Sequence, residues 1–196
     1  MARRNKKEFK KQHPIPIYLF VEGTQSEPAY FNLLKKKLGI KNLQVHSKMS
    51  KSNAASLITY AKKKITSDHN DLDENAKVYL VFDKDDLSKK KYQDIVIMSK
   101  NEGFEIGFSN VSFEVWLLAH YENMTKGLID QKQLEKKLSV YLNQVYNKGD
   151  SLQLEKMVVN YENALKNTER INQVDLNFQC TTVGTMIEEI RGSRKK

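Results

Sequence analysis

The sequence has 196 residues, of which 39% are hydrophobic and 29% charged, with 33 Lys and Arg against 24 Asp and Glu. This composition is typical of a single globular domain that can bury a core, and it excludes disordered and collagen-like chains. No apolar stretch approaches the roughly 20 residues of a membrane-spanning helix, and the basic first residues lack the apolar segment of a secretory signal. Because Cys180 is the only cysteine, no internal disulfide is possible, and we expect a cytoplasmic protein.

The excess positive charge lies at the two ends of the sequence. Residues 1–12 contain six Lys or Arg and one Glu, residues 191–196 contain four Lys or Arg, and between them the two signs balance. We therefore predict basic tails at 1–13 and 191–196. Such tails suit a polyanionic partner such as RNA or DNA, and they equally suit a role in solubility alone.

The first half of the sequence alternates strand-like and helix-like segments. Apolar runs rich in β-branched and aromatic residues predict strands, and amphipathic spacing predicts helices. The predicted strands are 15–22, 43–48, 76–83 and 104–109, and the predicted helices are 26–38, with Ser26 as its cap, 53–66 and 91–101. This alternation predicts an α/β domain over 14–122, with a parallel sheet flanked by helices and a functional edge at the carboxyl ends of the strands.

The pattern after residue 112 is helical. Helical periodicity covers 112–121, 130–145, 153–172 and 182–190, with no convincing strand between these segments. We interpret 123–190 as a helical C-terminal portion.

Acidic residues follow the two most apolar strands. Glu22 ends the first strand and precedes Gly23, and Asp83 and Asp85 end the third. If these strands are parallel neighbours, the carboxylates converge and repel each other unless a cation such as Mg²⁺ or Mn²⁺ neutralises them. Gly23 would let a phosphate approach the backbone, and Lys84 could contact it. Taken singly, each acid could instead cap a helix or occupy a turn.

These segments resemble known families. Val21-Glu22-Gly23 and Asp83-Lys84-Asp85 resemble the two motifs of the Toprim fold, which topoisomerases, primases and OLD-type nucleases share. Four blocks in order are similar to RloB-like proteins: Tyr18–Phe31, Val81–Asp86, Ser109–His120 and Thr181–Ile190. The resemblance implies a Toprim-like sheet, with Glu22 as general acid/base and metal ligand and with Asp83 and Asp85 as ligands of Mg²⁺ or Mn²⁺.

Two further acids have weaker assignments. Glu27 and Glu114 could complete the metal site or support its ligands, and each is also a favourable acid in the first turn of a helix. Glu114 could alternatively pair with Lys84.

The resemblance implies a metal-dependent nuclease that cleaves RNA or DNA as a phage-defence effector in abortive infection or restriction, with a restriction or ATPase-type defence partner. One alternative is a haloacid-dehalogenase-like phosphatase with Asp83 as nucleophile. The acidic end of the first strand, Glu22, and the late position of Asp83 disfavour it. A second alternative is a non-catalytic nucleic-acid-binding or partner module that keeps the fold alone.

Overall fold

The computed structural model describes residues 14–47, 53–68 and 76–193, and it centres on a five-stranded sheet. The strands are β1 (Ile17–Val21), β2 (Leu43–Ser47), β3 (Lys77–Asp83), β4 (Phe104–Asn110) and β5 (Cys180–Thr181). The helices are α1 (Ser26–Leu38), α2 (Ala54–Asp68), α3 (Lys89–Asn101), α4 (Glu114–Leu118), α5 (Gln131–Leu142), α6 (Ser151–Val159), α7 (Tyr161–Asn167) and α8 (Val183–Gly192).

The strand order is β2-β1-β3-β4-β5. The first four strands are parallel, and β5 pairs antiparallel with β4. Every residue of β1 is buried, as expected for an apolar strand covered on both faces. The predicted α/β fold with flanking helices is confirmed. The expectation that no strand follows residue 112 is wrong, because a two-residue strand such as β5 leaves no periodic signal in the sequence.

Side chains on the two faces of the sheet enter two separate cores. Leu19 and Val21 of β1 pack with α1 and with the helices from α4 onwards, whereas Tyr18 and Phe20 pack with α2 and α3. The alternation of side chains along a strand causes this division. The helices after residue 122 share a core with β1 and α1, and the division into two units at that residue stays a prediction.

Local details change three predicted helices. Ser26 is the first residue of α1 and not its cap, which is Gln25. The Ser26 hydroxyl forms a hydrogen bond with the Tyr146 hydroxyl. The predicted helix 153–172 is two helices that meet at Asn160. The predicted helix 112–121 is shorter, with α4 covering five residues.

The ends of the chain lie largely outside this description. The predicted basic tail 1–13, the end of the second predicted strand at Lys48, and residues 194–196 fall outside the described residues. Arg191 is described, and its guanidinium lies 5.4 Å from the centre of the Tyr161 ring. Among the described helices, none combines the length and apolar character needed to span a membrane.

Candidate functional site

The acids predicted from the sequence meet at the carboxyl edge of the sheet. Since β1 and β3 are adjacent and parallel, with Val21 opposite Val81, the residues that follow them are brought together. The backbone N–H of Glu22 donates to the carbonyl of Val81 at 2.9 Å, and the backbone N–H of Asp83 donates to the Glu22 carboxylate. Glu22, Asp83 and Asp85 line one cavity of about 470 Å³.

The strand ends divide these acids between the two faces of the sheet. Side-chain alternation places Glu22 on the side of α2 and α3, and Asp83 on the side of α1 and α4. The backbone N–H of Phe113, just before α4, acts to lower the pKa of Asp83. Asp85 interacts electrostatically with both acids. Its φ of 37° lies in the left-handed region, which aspartate enters more readily than most residues.

The negative charge of the cluster is only partly compensated by the protein. Burial raises the pKa of Glu22 to about 7, with further contributions from the charges of Asp85 and Glu27 and an opposing hydrogen bond from Asp83. Burial, followed by the charges of Glu27 and Glu114, raises the pKa of Asp83 well above its usual range. A cation at this edge would relieve both effects.

Glu27 fills the space above Gly23. A Cβ atom at Gly23 would lie 2.0 Å from Oε2 of Glu27, so the absence of a side chain there is what admits the Glu27 carboxylate. Burial and the charge of Glu114 raise the pKa of Glu27, and the charge of Lys148 opposes them. The predicted contact of a phosphate with Gly23 stays a prediction.

Glu114 is compensated by residues that the sequence did not indicate. It is 2% exposed; Lys148 Nζ lies 3.3 Å from Oε1, and the Tyr146 hydroxyl donates to the same oxygen at 3.2 Å. Burial acts to raise the pKa of Glu114, but the charge of Lys148 and the neighbouring polar side chains of Gln131 and Ser112 outweigh it and lower the pKa. The expected pairing of Glu114 with Lys84 is therefore wrong.

The loop between α5 and α6 delivers these partners to the acid edge. Ser26 Oγ lies 3.2 Å from the Tyr146 hydroxyl and accepts a hydrogen bond from the Gly149 backbone N–H at 3.2 Å. Gly149 has a φ of 75°, and a Cβ there would lie 3.0 Å from Gln25 Cβ. The glycine thus allows close approach of the loop to α1. In the sequence, Lys148-Gly149-Asp150 indicates only a turn.

Lys84 and Lys91 lie beside the acids in different depressions. Lys84 lines a depression of about 630 Å³ together with Lys89 and Tyr92. Lys91 lines the acid cavity with Glu22. Lys84 therefore stands next to Asp83 in sequence but contributes to the neighbouring depression.

The ligand atoms available at the acid edge are of the chemical type that a hard divalent cation prefers. Glu22, Asp83 and Asp85 supply only carboxylate oxygens, which Mg²⁺ and Mn²⁺ prefer, and burial together with the charges of neighbouring acids raises the pKa of the first two. Within residues 14–47, 53–68 and 76–193, no three His, Cys, Asp or Glu side chains are already assembled as a metal-binding group. The carboxylates would have to converge further to hold one ion.

Fold and site together define an α/β protein with a largely parallel sheet and an acidic carboxyl edge. A model of the family described as RloB-like protein matches residues 17–190, and the chain belongs to this family. The resemblance to RloB-like proteins is thereby confirmed, and the Toprim relationship stays a prediction. Neither the search of curated proteins nor the search of solved structures returned a match.

Proposed function

We propose that this protein is a Toprim-type, Mg²⁺- or Mn²⁺-dependent nuclease that hydrolyses phosphodiester bonds in RNA or DNA. The observation that supports the proposal is that Glu22, Asp83 and Asp85 line one cavity at the ends of adjacent parallel strands. We further propose that it acts in the cytoplasm as a phage-defence effector, with a restriction or ATPase-type partner.

The three carboxylates divide the work of hydrolysis. Asp83 and Asp85 would hold the cation, which when bound makes water more acidic and offsets charge on the transition state. Glu22 would complete the ligand set or take the proton of the attacking water at its carboxylate. The hydrogen bond from the Asp83 backbone N–H orients the Glu22 carboxylate for either role.

Cleavage assays test the proposal directly. The full chain is incubated with end-labelled single-stranded DNA, duplex DNA and RNA in Mg²⁺, in Mn²⁺ and in EDTA. We expect metal-dependent cleavage that falls by about 100-fold or more in Glu22→Gln and Asp83→Asn, since these groups act on the reacting atoms. Glu155→Gln, an equivalent change at an exposed site on α6, should cleave like the wild type. Undiminished cleavage in both site variants would remove the proposed mechanism.

A non-catalytic nucleic-acid-binding module is the second candidate function. The observation that favours it is that the described acids are not assembled as a ready metal-binding group. In this case the oligonucleotides bind in EDTA and stay intact in both metals, and the affinity survives loss of Glu22, Asp83 and Asp85.

A further inference from the structure

The first turn of α3 carries positive charge where a helix disfavours it. Lys89, Lys90 and Lys91 are consecutive and exposed, and the turn contains no acidic residue. Ser88 caps the helix by accepting a hydrogen bond from the Lys91 backbone N–H. The N-terminal end of a helix is the positive end of its dipole, so three lysines there oppose local stability. Breaking a local rule in this way is typical of a functional site.

A second run of three lysines obeys the rule. Lys35, Lys36 and Lys37 lie in the last turn of α1, where the helix dipole favours cations. Because α1 leaves the carboxyl end of β1 and returns to the start of the parallel strand β2, its last turn lies at the opposite edge of the sheet from the acids. Both runs consist of three lysines, but one begins its helix at the acidic edge of the sheet and the other ends its helix at the opposite edge.

The first turn of α3 lies between two depressions. Since α3 follows β3, the turn is at the acidic edge. Lys91 shares the acid cavity with Glu22 and Asp83, while Lys89 shares the neighbouring depression with Lys84. A chain-like ligand could occupy both depressions and cross the turn, whereas a small anion would fill only one.

The lysines at this turn are available to a ligand. In the described parts of the chain, Lys84, Lys89, Lys90 and Lys91 take part in no ion pair, although Asp94 lies on the same helix. Among the described residues, no acid therefore neutralises their charge.

We propose that Lys84 and Lys89 to Lys91, together the lysine turn, form the surface on which the phosphodiester backbone of a nucleic acid lies as it passes to the acid cavity. The inference rests on the proposed function, because it names where the substrate strand runs. Each lysine that neutralises a phosphate releases counterions, which makes the contact depend on salt but not on base sequence. The lysine turn would also hold phosphates beside an acidic cavity that otherwise repels them.

Binding in EDTA, where metal-dependent cleavage is blocked, tests the inference. The probe is a fluorescein-labelled single-stranded 20-mer, and its anisotropy is titrated with full-length protein over a series of salt concentrations. One variant combines Lys89→Gln, Lys90→Gln and Lys91→Gln; the matched control combines Lys35→Gln, Lys36→Gln and Lys37→Gln. We expect the α3 variant to lose about tenfold or more in affinity, with a log–log salt slope shallower by about 2–3.

The control should change the affinity less than about twofold, because the opposite edge lies beyond the Debye length of about 10 Å in 0.1 M salt. Thermal melts separate binding from folding. The α3 variant should melt no lower than the wild type, while the α1 variant should melt slightly lower, as the helix dipole requires. Equal losses of affinity in the two variants, or no loss in the α3 variant, would overturn the inference.

Two further outcomes are decisive. If affinity falls in the α3 variant while no metal produces cleavage by the wild type, the binding surface stands and the nuclease proposal fails. If phosphatidylserine vesicles bind through the lysine turn and the oligonucleotide does not bind, the inference is wrong, because the partner is then a membrane surface.

Discussion

Replacing Glu22 with glutamine should stabilise the protein at alkaline pH. In the folded state the pKa of Glu22 is raised from 4.5 to about 7, first by burial and then by the charge of Asp85. A raised acid pKa means that the folded state resists ionisation. The contribution of Glu22 to the free energy of unfolding is therefore complete below pH 4.5 and is lost as the pH rises through 7. Glutamine keeps the acceptor for the Asp83 N–H and cannot ionise, so it avoids this loss.

The magnitude follows from the pKa difference. For a fully buried group, this pKa difference corresponds to a loss of about 3 kcal/mol in the free energy of unfolding above pH 8. Glu22 is only partly buried, and screening by solvent reduces the expected gain to about 1–2 kcal/mol. In a chain of this size such a gain raises the melting temperature by about 2–8 °C.

Thermal melts in EDTA at pH 5 and pH 8 measure the effect, with Glu155→Gln as the control. The gain for Glu22→Gln should be largest at pH 8 and fall to about a quarter of that value at pH 5. In the wild type, Mg²⁺ at pH 8 should raise the melting temperature by relieving the same repulsion, and it should do so less in the variant. A variant that is less stable than the wild type at pH 8, or one that gains equally at both pH values, would refute the electrostatic reasoning.

Three further predictions concern the surroundings of the acids. Lys148→Met should cost about 1–2 kcal/mol in urea unfolding, since it leaves Glu114 buried and unpaired, and adding Glu114→Gln should recover part of that loss. Gly23→Ala should cost about 1 kcal/mol because its Cβ displaces the Glu27 carboxylate, and Glu27→Ala should remove the cost. His120, whose pKa burial lowers to about 4, destabilises the fold as the pH falls from 6.5 to 4. The stability of the wild type relative to His120→Gln should therefore drop by about 3 kcal/mol over this range.

The acid edge was predictable because its determinants are local. The strands β1 and β3 are short apolar runs that end in acids, and parallel strands joined through helices place their carboxyl ends at one edge. If the two strands are neighbours, Glu22 approaches Asp83 and Asp85; the structure shows that they are, and that all three acids line one cavity. Predicting that these acids lie close together therefore requires no knowledge of side-chain contacts between distant segments.

The surroundings of Glu114 were not predictable for the opposite reason. Lys148 and Tyr146 reach it from the loop between α5 and α6, and this contact depends on how a helix pair packs over α1. Nothing in the spacing of these residues differs from that of a solvated loop. The strand β5 was missed similarly, because its two residues are defined only by the neighbouring strand β4.

The contrast between Glu114 and Glu22 bears on what the acid edge is for. Glu114 is almost completely buried, and the fold supplies a lysine and several hydrogen-bond donors, so that its pKa falls. Glu22 is more exposed, yet its pKa rises, first because of burial and then because its neighbours Asp85 and Glu27 add negative charge. The same chain therefore supplies a lysine to one carboxylate, whereas the other has acidic neighbours. Such a local loss of stability is expected where a group must remain free for a ligand, and a cation that bridges Glu22 and Asp85 would convert the repulsion between them into affinity.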